Sequence, residues 1–142
     1  MNAAATIIKN LRRGRAQKLL AAATALSAPP LAFEIYLEHY KASFGDKWMW
    51  TPIWLTPPLT AAGIAGVFSE KAAKTILPAV SALYLIDGLI GVVTHVRGVR
   101  ERPGGFGEAH YNLVMGPPLL APGSLAMVGG MGVVAALMRR EK

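Results

Sequence analysis

Long uncharged stretches separated by tight clusters of charge constrain this chain more than any other feature of its sequence. Charged residues gather at 9–18, 34–47, 70–74, 95–108 and 139–142. Between them lie four apolar runs, at about 19–37, 49–68, 75–96 and 112–138, with Glu34 and Asp87 the only acids inside them. A helix rising 1.5 Å per residue needs about 20 apolar residues to cross a hydrocarbon layer about 30 Å thick. Each run has that length. None alternates polar with apolar residues, as the strands of a membrane barrel must. A soluble four-helix bundle would need a polar outer face on every helix, and the second and fourth runs have none. The expected fold is therefore all-α: an integral membrane bundle of four transmembrane helices over 19–142, preceded by a basic lead-in over 1–18.

Composition agrees with this. Charged residues make up 16% of the chain, against about 25% in an ordinary soluble domain. The net charge of +7 could suggest nucleic acid, but its distribution fits membrane topology better. Lys9, Arg12, Arg13, Arg15, Lys18, Lys71, Lys74, Arg139, Arg140 and Lys142 fall on one side of a four-span arrangement. Lys41, Lys47, Arg97, Arg100 and Arg102 fall on the other. The positive-inside rule then places both termini in the cytoplasm, as in a multi-pass protein of a bacterial inner membrane. No nucleic-acid partner is expected.

Cysteine is absent, so no disulfide or thiolate site can form. The basic start, the apolar run from Leu19 and the small residues Ala25 and Ser27 resemble a cleavable leader. Pro29 would sit just past the cut, and an uncleaved first helix is the better reading. In the lead-in, Ile7, Ile8 and Leu11 can face lipid while Lys9, Arg12 and Arg13 meet anionic head groups. A disordered basic tail is the alternative.

One small unit recurs: Pro29-Pro30-Leu31, Pro57-Pro58-Leu59 and Pro117-Pro118-Leu119. Each pair removes backbone donors and crowds the carbonyl four residues earlier, so each is expected to kink or break its helix. Backbone freed in this way must find a partner in protein, water or ligand, because lipid offers none. Small residues at helical spacing, Ala62 with Gly66, Gly88 with Gly91 and Ala126 with Gly130, mark faces where helices can approach closely.

The third run carries the most informative polar pattern. Asp87 lies well inside it, where a charge is costly and is a functional candidate by default. Tyr84, Asp87, Gly88, Gly91 and His95 follow steps of three and four and so fall on one stripe. His39, His110, Glu34 and Glu38 are expected toward the same outer half. A metal could use carboxylates and imidazoles, but no His-x-x-x-His or Glu-x-x-His pair occurs. Haem b would need opposed histidines, and His95 with His110 is the available pair. A quinone needs an apolar slot, a hydrogen-bonding histidine or tyrosine and an acid; Tyr84, Asp87, His95, His110 and Trp54 are the candidate residues. The competing reading is that Asp87 pairs with an arginine or a helix end and holds the bundle together.

Trp48, Trp50, Trp54, Tyr36, Tyr40 and Tyr111 have the placement of an interfacial aromatic belt. The loop at 97–111, basic and tipped by Phe106, is expected to be a contact surface for a periplasmic partner. Its glycines follow no strand and form no phosphate-binding pattern. No nucleophile elbow, Walker motif or zinc-protease pair occurs, so autonomous catalysis is not expected.

Tyr84-Leu85-Ile86-Asp87-Gly88, Thr94-His95-Val96-Arg97-Gly98 and Tyr111-Asn112-Leu113-Val114-Met115-Gly116-Pro117-Pro118-Leu119 together resemble a group of uncharacterised bacterial membrane proteins with four helices. The resemblance covers the second half of the chain and implies topology, with no activity attached. The expected role is an accessory or anchoring subunit of a larger membrane complex, energy-transducing or dehydrogenase-associated, whose partners are other membrane subunits and lipid. A quinone- or haem-binding redox protein and a small proton-coupled transporter are the alternatives.

Overall fold

The computed structural model describes residues 2–140. Lys142, and the Leu11 and Arg12 side chains invoked for the lead-in, lie outside the described residues. Every regular element among those described is helical: α1 (Ala3–Arg12), α2 (Ala16–Lys41), α3 (Thr51–Phe68), α4 (Glu70–Lys74), α5 (Ile76–Glu101), α6 (Ala109–Met115) and α7 (Leu120–Leu137). Three units are long and apolar enough to cross a membrane: Ala16–Lys41, Glu70–Glu101 and Leu120–Leu137. Helix α3, with 18 residues and no charge, matches α7 in length, but its prolines and threonines dilute its apolar character.

Local chemistry sets the boundaries. Gly14, at φ +69°, supplies the left-handed residue that ends α1. Asp46 accepts a hydrogen bond from the Trp48 backbone N–H and starts the 3-10 turn Lys47–Trp50 that leads into α3. Pro52 then sits in the first turn of α3, where a missing N–H costs nothing. Ser69 accepts from the Ala72 N–H and caps α4. Arg102, extended ahead of Pro103, stops α5 as a pre-proline residue should.

Helices α2, α3, α5 and α7 run alternately up and down and pack in a ring, each against two neighbours: α2 on α3 and α7, α5 on α3 and α7. The core is built largely from small residues, with Ala21, Ala28, Leu59, Leu77, Tyr84 and Ala135 fully enclosed. Where α5 meets α7, backbones nearly touch. A methyl group on Gly88 would collide with Ala126, and one on Gly129 with Leu85. Gly91 abuts Pro122, Gly98 abuts Pro117 and Gly132 sits on Ser81. Where α2 meets α3, Gly63 packs on Ala21 and Ala25. The expected close-approach faces hold with one correction: Gly130 faces open space, and Gly129 and Gly132 do its work.

The proline pairs behave differently from one another. Both α2 and α3 remain helical through Pro29-Pro30 and Pro57-Pro58. Only at Pro117-Pro118 does the helix stop, dividing the last apolar run into α6 and α7. The difference lies in the preceding residue. Gly116 takes an extended conformation and a side chain there would strike the Asn112 carbonyl, whereas Ala28 and Thr56 stay helical.

One end of the ring is closed by a polar cluster. Gln17, fully buried, donates from Nε2 to the carbonyls of Ala135 and Met138, each at 3.1 Å. Arg140 donates from Nε to Gln17 Oε1 at 2.7 Å and reaches the carbonyls of Gly66 and Val67. The first turn of α2, the last turn of α3 and the residues that end and follow α7 are thereby tied together. Large apolar side chains cover the outside of the ring; Leu26, Phe68, Leu120 and Leu137 are each more than three-quarters exposed.

Candidate functional site

The opposite end of the ring holds most of the polar residues singled out in the sequence. Asp87, half-buried on α5, accepts a hydrogen bond from the Thr51 hydroxyl at 2.6 Å. Thr51 is the first residue of α3, so the carboxylate is tied to a helix N-terminus, where the helix dipole favours negative charge. The Thr51 hydroxyl also lies 2.8 Å from the Trp48 carbonyl. With one proton and two acceptors, it satisfies only one of them at a time.

Three positions further back, Tyr84 is fully buried and its hydroxyl lies 3.0 Å from that of Thr56. Thr56 in turn bonds the Pro52 carbonyl at 2.7 Å. His39 Nδ1 lies 2.7 Å from the Met49 carbonyl and His95 Nδ1 lies 2.7 Å from that of Pro118. A carbonyl can only accept, so both rings carry their proton on Nδ1. The bond from His95 takes up a carbonyl that lies just ahead of α7, beside the proline break.

The expected stripe on α5 is therefore divided. Tyr84 and Asp87 turn to α3, while Gly88, Gly91 and His95 turn to α7 and its lead-in. His110 is exposed on α6. Glu34 is exposed, and Glu38 pairs with Lys41. Among the described residues, no group of three histidines and acids is gathered as a metal would require.

Between α3 and α5 a shallow groove of about 260 Å³ opens to the outside of the ring, walled by Thr51, Trp54, Leu55, Leu83, Ile86, Asp87 and Ile90. Of the five residues proposed for a quinone, only Asp87 and Trp54 line it; Tyr84 is sealed in the core and the two histidines lie elsewhere. Trp54 also ends a chain of ring contacts that runs through Trp50, Phe44, Tyr36 and Tyr40, tightest at 3.9 Å between the Phe44 and Trp50 centroids. Phe44 was not singled out by sequence. It reaches Trp50 from a turn in which Ser43 and Phe44 both have positive φ, and no pattern in the sequence marks that turn.

Thr51 and Thr56, the partners of Asp87 and Tyr84, were likewise missed, because threonine in an apolar helix usually bonds its own backbone. Asn112 is a third such case. Buried, it donates to the carbonyls of Pro103 and Gly105 at 2.9 and 2.8 Å and accepts from Arg102, which folds part of the loop at 97–111 onto α6. No family model, no curated protein and no solved structure gives a match to the chain.

Proposed function

We propose that this chain is a four-span membrane protein that serves as an accessory or anchoring subunit of a larger membrane assembly. The observation that carries the reading is what its polar groups do. Asp87, Tyr84, His39, His95 and Gln17 each bond another part of the chain, chiefly at the ends of the helices. Groups held in this way position helices; chemistry on a substrate would need them turned to a shared cavity. Side chains on the outside of the ring are apolar on α2, α3, α5 and α7 alike, which suits a lipid surround and lateral contact with other spans. Helix α3 is the fourth span in this reading, its uncharged 18 residues covering about 27 Å. Both termini are cytoplasmic, and the aromatic rings around Trp50 mark the outer interface. The second-half resemblance to four-helix bacterial membrane proteins points the same way.

Solubilisation from native membranes in mild detergent, followed by native electrophoresis and mass spectrometry, tests the proposal. A defined complex with other membrane polypeptides is expected. Recovery only as a lone monomer, at every detergent strength and with no co-purifying protein, would overturn it.

A further inference from the structure

The groove beside Asp87 balances one carboxylate against an almost wholly apolar wall. The Asp87 carboxylate has one protein donor, Thr51, and no ion pair with any described residue. The Thr51 hydroxyl has its single proton engaged between Asp87 and Trp48. The Trp54 backbone carbonyl lacks its helical donor. In α3 its carbonyl would be served by the N–H three or four residues on, and both of those positions are proline, Pro57 and Pro58. Trp54, 69% exposed as a residue, lines the same groove, and its ring offers a face that attracts cations beside one N–H donor. The rest of the wall is aliphatic: Leu55, Leu83, Ile86 and Ile90.

From this balance we infer that the groove between α3 and α5 holds a membrane lipid whose head group carries a primary ammonium. The ammonium donates to Asp87, lies against Trp54 and meets the orphaned carbonyl; an acyl chain lies along Leu83, Ile86 and Ile90. Three features favour a lipid over a water-borne amine. The groove opens sideways, its aliphatic wall is continuous with the apolar exterior, and its carboxylate sits level with the start of α3, among the tryptophans. A quinone would find only the Trp54 indole N–H to bond its carbonyls, and it would leave the Asp87 charge without a cation. The inference relies on the membrane-spanning reading but not on any partner subunit.

The test is native mass spectrometry of the isolated full chain, released from nanodiscs of equal phosphatidylethanolamine, phosphatidylcholine and phosphatidylglycerol. Phosphatidylethanolamine is expected to be retained over phosphatidylcholine by roughly five- to tenfold, as one charge-assisted hydrogen bond at a partly exposed site provides. Asp87→Asn keeps the bond from Thr51 while removing the charge, and it should erase the preference. Leu83→Trp fills the groove from an exposed position and should lower retention of every lipid, whether or not Asp87→Asn folds. Pro58→Ala returns an N–H to the Trp54 carbonyl and should weaken the preference. Free glycerophosphoethanolamine, which has no acyl chain, should not compete. Equal retention of the three lipids, a preference for phosphatidylglycerol, or a preference unchanged in Asp87→Asn would each overturn the inference. So would competition by the chainless head group, or a tightly held polypeptide that blocks lipid binding and leaves with the Asp87 charge.

Discussion

Arg140 donates to Gln17 across 123 positions of sequence, Nε to Oε1 at 2.7 Å. This contact joins the start of α2 to the segment that follows α7. Gln17 also serves two carbonyls at the end of α7, so its loss leaves several buried groups unmet. Gln17→Ala is expected to destabilise the bundle by about 1–3 kcal/mol. In a double-mutant cycle with Arg140→Ala, the two effects should be clearly less than additive. Thermal unfolding in detergent micelles measures both; strict additivity would mean that the pair does not interact.

Packing of α5 on α7 makes a sharper prediction, because of two adjacent glycines only one should be sensitive to a side chain. Gly129→Leu drives a side chain into the backbone at Leu85 and is expected to cost about 1–3 kcal/mol or more. Gly130→Leu enters open space and should leave stability unchanged. Equal sensitivity at the two sites would show that α7 is rotated from the position described.

Ser81 is buried with its hydroxyl unpaired, pressed against Gly132. Removing an unmet polar atom is favourable, so Ser81→Ala should hold stability level or raise it by about 1 kcal/mol. A clear loss of unfolding temperature would imply an acceptor for that hydroxyl that the helices do not supply.

Tyr84 and Thr56 bond each other within the core. Tyr84→Phe and Thr56→Val should each cost about 0.6–1.7 kcal/mol, the range of single interhelical hydrogen bonds inside membrane proteins. The double variant should cost little more than either alone. Full additivity in the same unfolding assay would place the two hydroxyls in separate interactions.

The absence of cysteine permits a direct topology test. Ser43→Cys lies in the connection between α2 and α3, and Ser69→Cys lies between α3 and α4. Given four spans, an impermeant thiol reagent applied to intact cells should label position 43, and position 69 only after the cells are opened. Labelling of both from outside would remove α3 as a span.

Much of this architecture could be read from the residues themselves. Apolar runs and the charge between them gave the helices, and the Gly88 and Gly91 spacing gave the face that meets α7. Two kinds of feature escaped. The first depends on a single neighbour: three proline pairs look alike in sequence, yet only the one preceded by Gly116 releases the chain. The second depends on a partner that pattern cannot rank. Asp87 could be flagged from its depth, but nothing local selects Thr51, 36 positions away, over other hydroxyls. Stripe arguments failed at Asp87 and Gly88 for a related reason. Consecutive residues on a helix point about 100° apart, enough for one to meet α3 and the next α7.

Helices α2 and α5 each have 26 residues, and α3 and α7 each have 18. At 1.5 Å per residue these are rods of about 39 Å and about 27 Å. A bilayer matched to the short pair leaves the long pair overhanging unless it leans. With all four helices as spans, thickening or thinning the surrounding lipid would act on the two pairs unequally, giving membrane thickness leverage over the end of the ring where Thr51 holds Asp87.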